Sequence, residues 1–312
     1  MNCTTRHWSI IFSILLIVAF SRFIFGEQLR KTGTVGYTFL ELPVTARQMG
    51  MGEAVGSLDV SPGIMPLFIN PGVMGFQRGS VLGVSSSRWL ADINHYCAGI
   101  IIPTQTIGNF GISINYVDYG DFQLVEENAV SATGTYTAQS LSTGITYARQ
   151  LTDKFAWGLR LNWIHETIYN YSSQNLLMDV GVLYYTGFRS LRLGGYINNF
   201  GVDSRYIADA FKMPTELRLG MAYDLINGST HAVTLCTEMS HPSDNPERLH
   251  LGLEYRYEHF LYLRMGYKYK FDEDPLSFGA GLSWLDYRLD LGVSPFGCFP
   301  TVYLITFQRE FN

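Results

Sequence analysis

Nine charged residues in the second half of the chain stand in runs where every second residue is large and apolar: Arg160, Glu216, Arg218, Glu254, Arg256, Arg264, Lys268, Arg288 and Asp290. Charges held in this way do one of two things. They pair with opposite charges on neighbouring strands and brace an interior, or they line a polar path for a ligand or peptide. Both readings are open from sequence. A second group, Tyr206, Ile207, Phe211 and Lys212, falls in the irregular stretch 199–213. Aromatic and aliphatic side chains on a loop held by a rigid scaffold suit partner binding, or they fold over whatever the loop borders.

Other candidate chemistry fails on spacing. Gly50-Met51-Gly52-Glu53-Ala54-Val55 has the look of a dinucleotide loop, yet it lacks the third glycine and no strand precedes it. Gly50 and Gly52 are better read as sites of close packing. His241-Pro242-Ser243 has no acid or oxyanion partner. The seven histidines show no ligand spacing. Asp272-Glu273-Asp274 lacks the spacing of a calcium loop. Cys97, Cys236 and Cys298 are odd in number and far apart, so neither a disulfide framework nor a metal site is expected. No enzyme activity and no cofactor is expected.

The elements that carry these residues have a period of two. Phe110, Ile112, Ile114 and Tyr116 alternate with Gly111, Ser113 and Asn115, and Leu261, Leu263, Met265 and Tyr267 alternate with Tyr262, Arg264, Gly266 and Lys268. Successive side chains of a strand face opposite sides. One face is thus large and apolar, the other Gly, Ser and a few charges. That is too sparse for a solvated exterior. The apolar face therefore meets lipid, and the fold expected is all-β, a transmembrane antiparallel β-barrel of about 14 strands over 79–312. Longer connections are expected at 119–130, 166–173, 199–213, 241–246, 270–275 and 295–300, with tight turns between them. Tyr and Trp near strand ends, such as Trp89, Tyr96, Tyr119, Tyr169, Tyr267 and Trp284, suit interfacial girdles.

The composition agrees. The chain has 312 residues, of which only 16% are charged, with 31 Gly, 20 Tyr and 20 Phe. Soluble domains carry about 25% charged residues. A net charge of −5 without a basic run argues against nucleic acid. Beyond residue 26 no window reaches the ~18 apolar residues of a spanning helix. Residues 1–26 read as a signal peptide, with Arg6 ahead of an apolar core from Trp8 to Phe20. Residues 27–78 are too apolar for a solvated tail, and they are expected to fold into the lumen as a plug. A helix over Thr45–Ala54 against the rim is the alternative. Asn70-Pro71-Gly72 is expected to turn the chain into the first strand.

Five motifs follow one another in order: Gly33-Thr34, Phe39-Leu40-Glu41-Leu42-Pro43, Ala46-Arg47, Gly50-Met51-Gly52-Glu53-Ala54 and Asn70-Pro71-Gly72. Trp89-Leu90-Ala91-Asp92-Ile93, Tyr116-Val117-Asp118-Tyr119-Gly120-Asp121-Phe122 and Gly134-Thr135-Tyr136 continue the series. The series resembles the PorV/PorQ family over most of residues 33–200. Gly72 departs from that family's usual Ala, and the acidic run after the Gly-rich motif is reduced to Asp59. The resemblance implies a fourteen-stranded barrel of the FadL type in the bacterial outer membrane, with an N-terminal plug. It further implies a non-enzymatic role in type IX protein secretion. The implied partners are outer-membrane lipid and either secreted proteins with a C-terminal sorting domain or a type IX surface-complex protein. A FadL-like transporter of hydrophobic small molecules is the alternative function, and a purely structural barrel the third.

Overall fold

The computed structural model describes residues 33–59, 63–104, 106–125, 133–271 and 273–311. The stretch expected as a signal peptide, 1–26, residues 27–32 of the segment expected as a plug, and Asp272 lie outside these. Sixteen strands are present: β1 (Ser80–Arg88), β2 (Asn94–Thr104), β3 (Gly108–Leu124), β4 (Gly134–Gln150), β5 (Phe155–Ile168), β6 (Tyr171–Tyr185), β7 (Arg192–Phe200), β8 (Ser204–Arg205), β9 (Ala210–Phe211), β10 (Glu216–Asn227), β11 (His231–Pro242), β12 (Arg248–Tyr257), β13 (Leu261–Tyr269), β14 (Leu276–Trp284), β15 (Tyr287–Phe296) and β16 (Phe299–Phe311). All but β8 and β9 form one antiparallel meander. β1 pairs with β16 over Ser80↔Phe311 to Arg88↔Tyr303, which closes a barrel of 14 strands. Closure leaves no unpaired sheet edge.

The alternation decides which way the wall faces. Ile112 and Ile145 on the outside are 52% and 65% exposed, whereas inward-facing Ser113, Thr146 and Asn162 have no exposed surface. This inverts the pattern of a water-soluble sheet, and it is the pattern of a wall that meets hydrocarbon. No helix among the described residues is long and apolar enough to cross a membrane.

Two of the connections differ from the sequence expectation. β5 and β6 are joined by Tyr169 and Asn170 alone, and β15 and β16 by Gly297 and Cys298. Tyr169, at φ 54°, and Gly297, at φ 46°, adopt the left-handed backbone that tight turns use. Tyr119 is no girdle residue either. It faces inward and receives a hydrogen bond from Ser140 Oγ at 3.2 Å. Alternation from Ser113, Asn115 and Val117 places it on the inward face.

Residues 33–59 and 63–78 pack against the inner wall of the barrel. They include α1 (Ala46–Gly50) and α2 (Pro71–Met74), both one turn or little more. Thr45 Oγ1 caps α1 by accepting from Gln48 N, and Asn70 Oδ1 caps α2 by accepting from Gly72 N. Asn70-Pro71-Gly72 thus starts a helical turn with Pro at N1, where its missing N–H costs nothing. It does not form the turn expected ahead of β1. The helix expected over Thr45–Ala54 exists in shorter form and packs on β13 to β16 within the lumen, away from the rim.

Glycines let the plug backbone touch the wall. A Cβ on Gly266 of β13 would lie 2.0 Å from Gly52 N, and one on Gly72 would lie 2.6 Å from Val182 Cα. Gly50 likewise abuts Gly279 Cα, at 2.8 Å from its absent Cβ. Met51, Ala54, Val55, Leu58, Ile64 and Leu67 fill the space with at most 1% of their surface exposed. Burial on this scale stabilises the plug by roughly 1.5–3 kcal/mol per large side chain.

Candidate functional site

The interface between plug and wall holds the polar groups that the barrel encloses. The longer connections, such as 201–215, lie at one end, here the mouth. The base is the end where β1 begins and β16 finishes.

Eight of the nine expected lumen charges lie in ion pairs. Their partners are the unexpected part. Arg160 meets Asp179, its register neighbour on β6, at 3.3 Å. Glu254 and Arg264 also face each other across β12 and β13, at 2.6 Å. These two follow the cross-strand logic. Glu254, however, also takes a bidentate pair from the plug: Arg47 Nε donates to Oε2 at 3.0 Å and Nη2 to Oε1 at 2.7 Å. Arg264 continues to Asp290 at 2.8 Å, and Arg288 donates to the second oxygen of Asp290 at 2.8 Å. The result is a chain of three arginines and two carboxylates reaching from the plug into β15.

A second set is centred on Glu53 of the plug. It receives Arg218 at 3.2 Å and Lys268 at 3.3 Å. Arg218 also binds Glu216, two residues before it on β10, at 2.7 Å, and Lys268 also binds Asp274. Arg256 alone departs from the expectation of a charged partner. Its guanidinium donates to His259 Nδ1 at 3.2 Å and to the Gly228 carbonyl at 3.4 Å.

Residues that sequence reasoning passed over complete the clamp. Glu238 accepts the backbone N–H groups of Val55 and Gly56, at 3.0 and 3.1 Å, and the hydroxyl of Tyr196. It thereby satisfies plug donors that have no helix or sheet of their own. Arg47 and Glu53 are single charges within an otherwise apolar, Gly-rich stretch. That isolation is the signal that marks them, since a lone charge in such a stretch needs a partner from elsewhere.

The mouth is greasy. Tyr37 and Phe39 of the plug pack with Val117, Ile164, Leu177 and Met213, and Leu40, Leu42 and Phe211 border them. The residues 199–213 take part in this packing. β8 and β9 form a small ribbon, and Phe211 meets Tyr37 edge-on at 5.2 Å and Tyr206 at 5.3 Å. Tyr206 donates its hydroxyl to Glu166. Lys212 pairs with Val35 through a parallel backbone bridge. Ile207, 69% exposed, stands clear. Of the four expected contact residues, therefore, Tyr206, Phe211 and Lys212 engage the barrel or its plug, and Ile207 faces outward.

The remaining candidates stay apart. Ser243 Oγ donates to the Met213 carbonyl, and His241 meets Glu247 at 3.2 Å, so the two never approach as a catalytic pair. Cys97 Sγ and Asn115 Oδ1 both approach His95 Nε2, at 3.2 and 2.7 Å. One ring nitrogen serves both contacts, which is not how a nucleophile, base and orienting group are arranged. No group of three or more potential metal ligands gathers among the described residues.

No protein-family model matches the chain, and no curated protein matches it by sequence. Solved structures do match. The CymD monoaromatic hydrocarbon channel superposes with a TM-score of 0.62 at 14% identity, over 86% of this chain and 98% of that one. The Pseudomonas putida toluene transporter TodX gives 0.57 at 12% identity, over 90% and 99%. A Pseudomonas aeruginosa FadL homologue gives 0.56 at 10% identity, over 87% and 99%. At such identities the likeness shows the fold alone. The fold is a closed 14-stranded antiparallel barrel like that of these FadL-like channels. None of these three carries the PorV or PorQ name, and that resemblance stands on the motifs of residues 33–200.

Proposed function

We propose that the chain is an outer-membrane transporter of hydrophobic small molecules, with the N-terminal segment in the lumen controlling passage. The observation that carries this reading is the apolar cluster at the mouth. There Tyr37, Phe39, Leu40 and Leu42 of the plug meet Val117, Ile164 and Leu177 of the wall. An apolar molecule arriving at the mouth finds a surface that welcomes it, formed in part by the element that must move. The structural neighbours named as a hydrocarbon channel and a toluene transporter support the same direction. The test is uptake of a labelled aromatic hydrocarbon by cells with and without the gene. Deletion is expected to slow that uptake and leave a hydrophilic solute unaffected. Equal uptake of the hydrocarbon in both strains overturns the reading.

A second reading, a membrane platform for type IX secretion and surface attachment, is supported by the exposed Val202 and Ile207 on the mouth loop and by the motif resemblance. Its partners are secreted proteins with a C-terminal sorting domain or a surface-complex protein. Deletion is then expected to abolish secretion and attachment of such cargo, and Ile207→Asp to weaken co-purification with it. Unchanged secretion removes this reading.

A further inference from the structure

The outer wall carries a groove of about 490 Å³ over β1 and β2, flanked by β16 and β3. Its floor is Ser86 and Ala98, small outward residues on strands that otherwise turn Leu82, Val84, Tyr96, Ile100 and Ile102 outward. The register explains the depression. Ser86 stands opposite Tyr96 on β2 and Ile305 on β16, and Ala98 stands opposite Val84 on β1 and Ile114 on β3. Two small side chains on adjacent strands therefore lie inside a rim of Ile305 and Phe307 on one flank and Ile114 and Tyr116 on the other.

The chemistry of the groove changes along its length. β1 begins at the base and runs to the mouth, so Val84, Ser86 and Arg88 are successive outward residues, each roughly 6.7 Å beyond the last. The level of Val84 and Ala98 is wholly apolar. The level of Ser86 and Tyr96 holds two hydroxyls, and neither makes a hydrogen bond among the described residues. Tyr116, stacked beside Tyr96 with ring centroids 6.5 Å apart, donates its own hydroxyl to Gln139. The next level holds Arg88, whose partner Asp92 is 81% exposed, a surface pair of small worth. Hydroxyls on a wall that meets hydrocarbon cost free energy until an acceptor reaches them. Charge, hydroxyl and apolar surface follow one another in the order of the headgroup, ester and acyl chain of a membrane lipid.

We propose that this groove binds one glycerolipid of the surrounding leaflet. An acyl chain lies over Ala98 between Phe307 and Ile114, its ester carbonyl accepts hydrogen bonds from Ser86 and Tyr96, and its headgroup lies level with Arg88. A chain flanked on both sides buries more apolar surface than one lying on a wall of even height, so this lipid is held more tightly than its neighbours. The site requires only a wall that faces hydrocarbon and is independent of what the barrel carries.

The test is native mass spectrometry of the purified full chain, delipidated in detergent and titrated with palmitoyl-oleoyl phosphatidylethanolamine. The wild type is expected to bind a first lipid more tightly than any later one. Ala98→Leu fills the floor with a side chain suited to the lipid face, and it is expected to weaken the first binding by about tenfold or more. Tyr96→Phe and Ser86→Ala each remove one donor and are expected to weaken it by about fivefold, the value of one hydrogen bond. Ala280→Leu, at an exposed position on β14, is expected to leave it unchanged. Heat-modifiable gel mobility verifies that each variant retains its barrel. Equal binding by the wild type and Ala98→Leu overturns the site, as does an equal loss in Ala280→Leu. Unchanged affinity in both hydroxyl variants overturns the ester contact. A dimer in place of the bound lipid, broken by Ala98→Leu, overturns the lipid and assigns the groove to a second copy of the chain.

Discussion

The chain of ion pairs from Arg47 to Arg288 makes an asymmetric prediction. Arg47→Met removes a bidentate pair with Glu254 at 2.7 and 3.0 Å. It leaves Glu254 with Arg264 and Asp290 with Arg264 and Arg288, two carboxylates against two arginines. The residual charges balance, so the loss is that of the pair alone, about 2 kcal/mol. Glu254→Gln removes the carboxylate that Arg47 and Arg264 share. The arginines that Glu254 bound then lose its charge, and an uncompensated buried charge costs about 4 kcal/mol. The wall is held by 14 paired strands and keeps its shape in both variants. What changes is the free energy of releasing the plug. In planar bilayers this is read as the open fraction of the barrel, about thirtyfold higher in Arg47→Met and about a thousandfold higher in Glu254→Gln. The double variant is expected to open less than the product of the two, because the residues share one interaction. If Arg47→Met opens the barrel as much as Glu254→Gln, or if the two effects multiply, the clamp does not work through the charge balance described.

Three further outcomes follow from the packing and titration of the plug. Gly72→Ala places a Cβ 2.6 Å from Val182 Cα and 2.7 Å from the Gly181 carbonyl; overpacking of about 1–3 kcal/mol is expected to raise the open fraction while barrel thermal stability stays unchanged. Phe211→Ala removes a half-buried ring from Tyr37, a loss of about 2 kcal/mol, and hydrogen exchange at residues 35–40 is expected to quicken by a factor of about thirty. Glu41 sits at the mouth in contact with water, yet enclosure first, and then Asp244 and Glu216, push its carboxyl from 4.5 up to about 7. The docked form holds a proton between those values that the free segment has lost. Docking of the mouth segment is therefore expected to weaken as pH rises from 4.5 to 7, and Glu41→Gln to abolish that dependence in the same exchange measurement.

Gly72 shows how the structure explains a departure in the sequence. The resembled family carries Ala after Asn-Pro, but here the backbone of α2 lies directly on β6 and no Cβ fits. The reversed case is Arg256. Alternation places it on the inward face, as it does Arg264, but its register neighbours are Tyr262 and Ala232, and neither carries a carboxylate.

What the sequence by itself determined is the wall. A two-residue period follows from the covalent geometry of an extended chain, so each strand reveals its faces without knowledge of any other strand. About fourteen strands, an apolar exterior and inward charges were legible in this way. What only the tertiary structure decided is who meets whom. Arg47 and Glu254 are 207 residues apart, and Glu53 and Lys268 are 215 apart. No local pattern encodes such a meeting. It exists because the closure of β1 on β16 brings the far strands around the plug, and because the plug threads the lumen in one particular path. The same closure sets Ile305 and Phe307 of β16 beside Ser86 and Ala98 around a single groove.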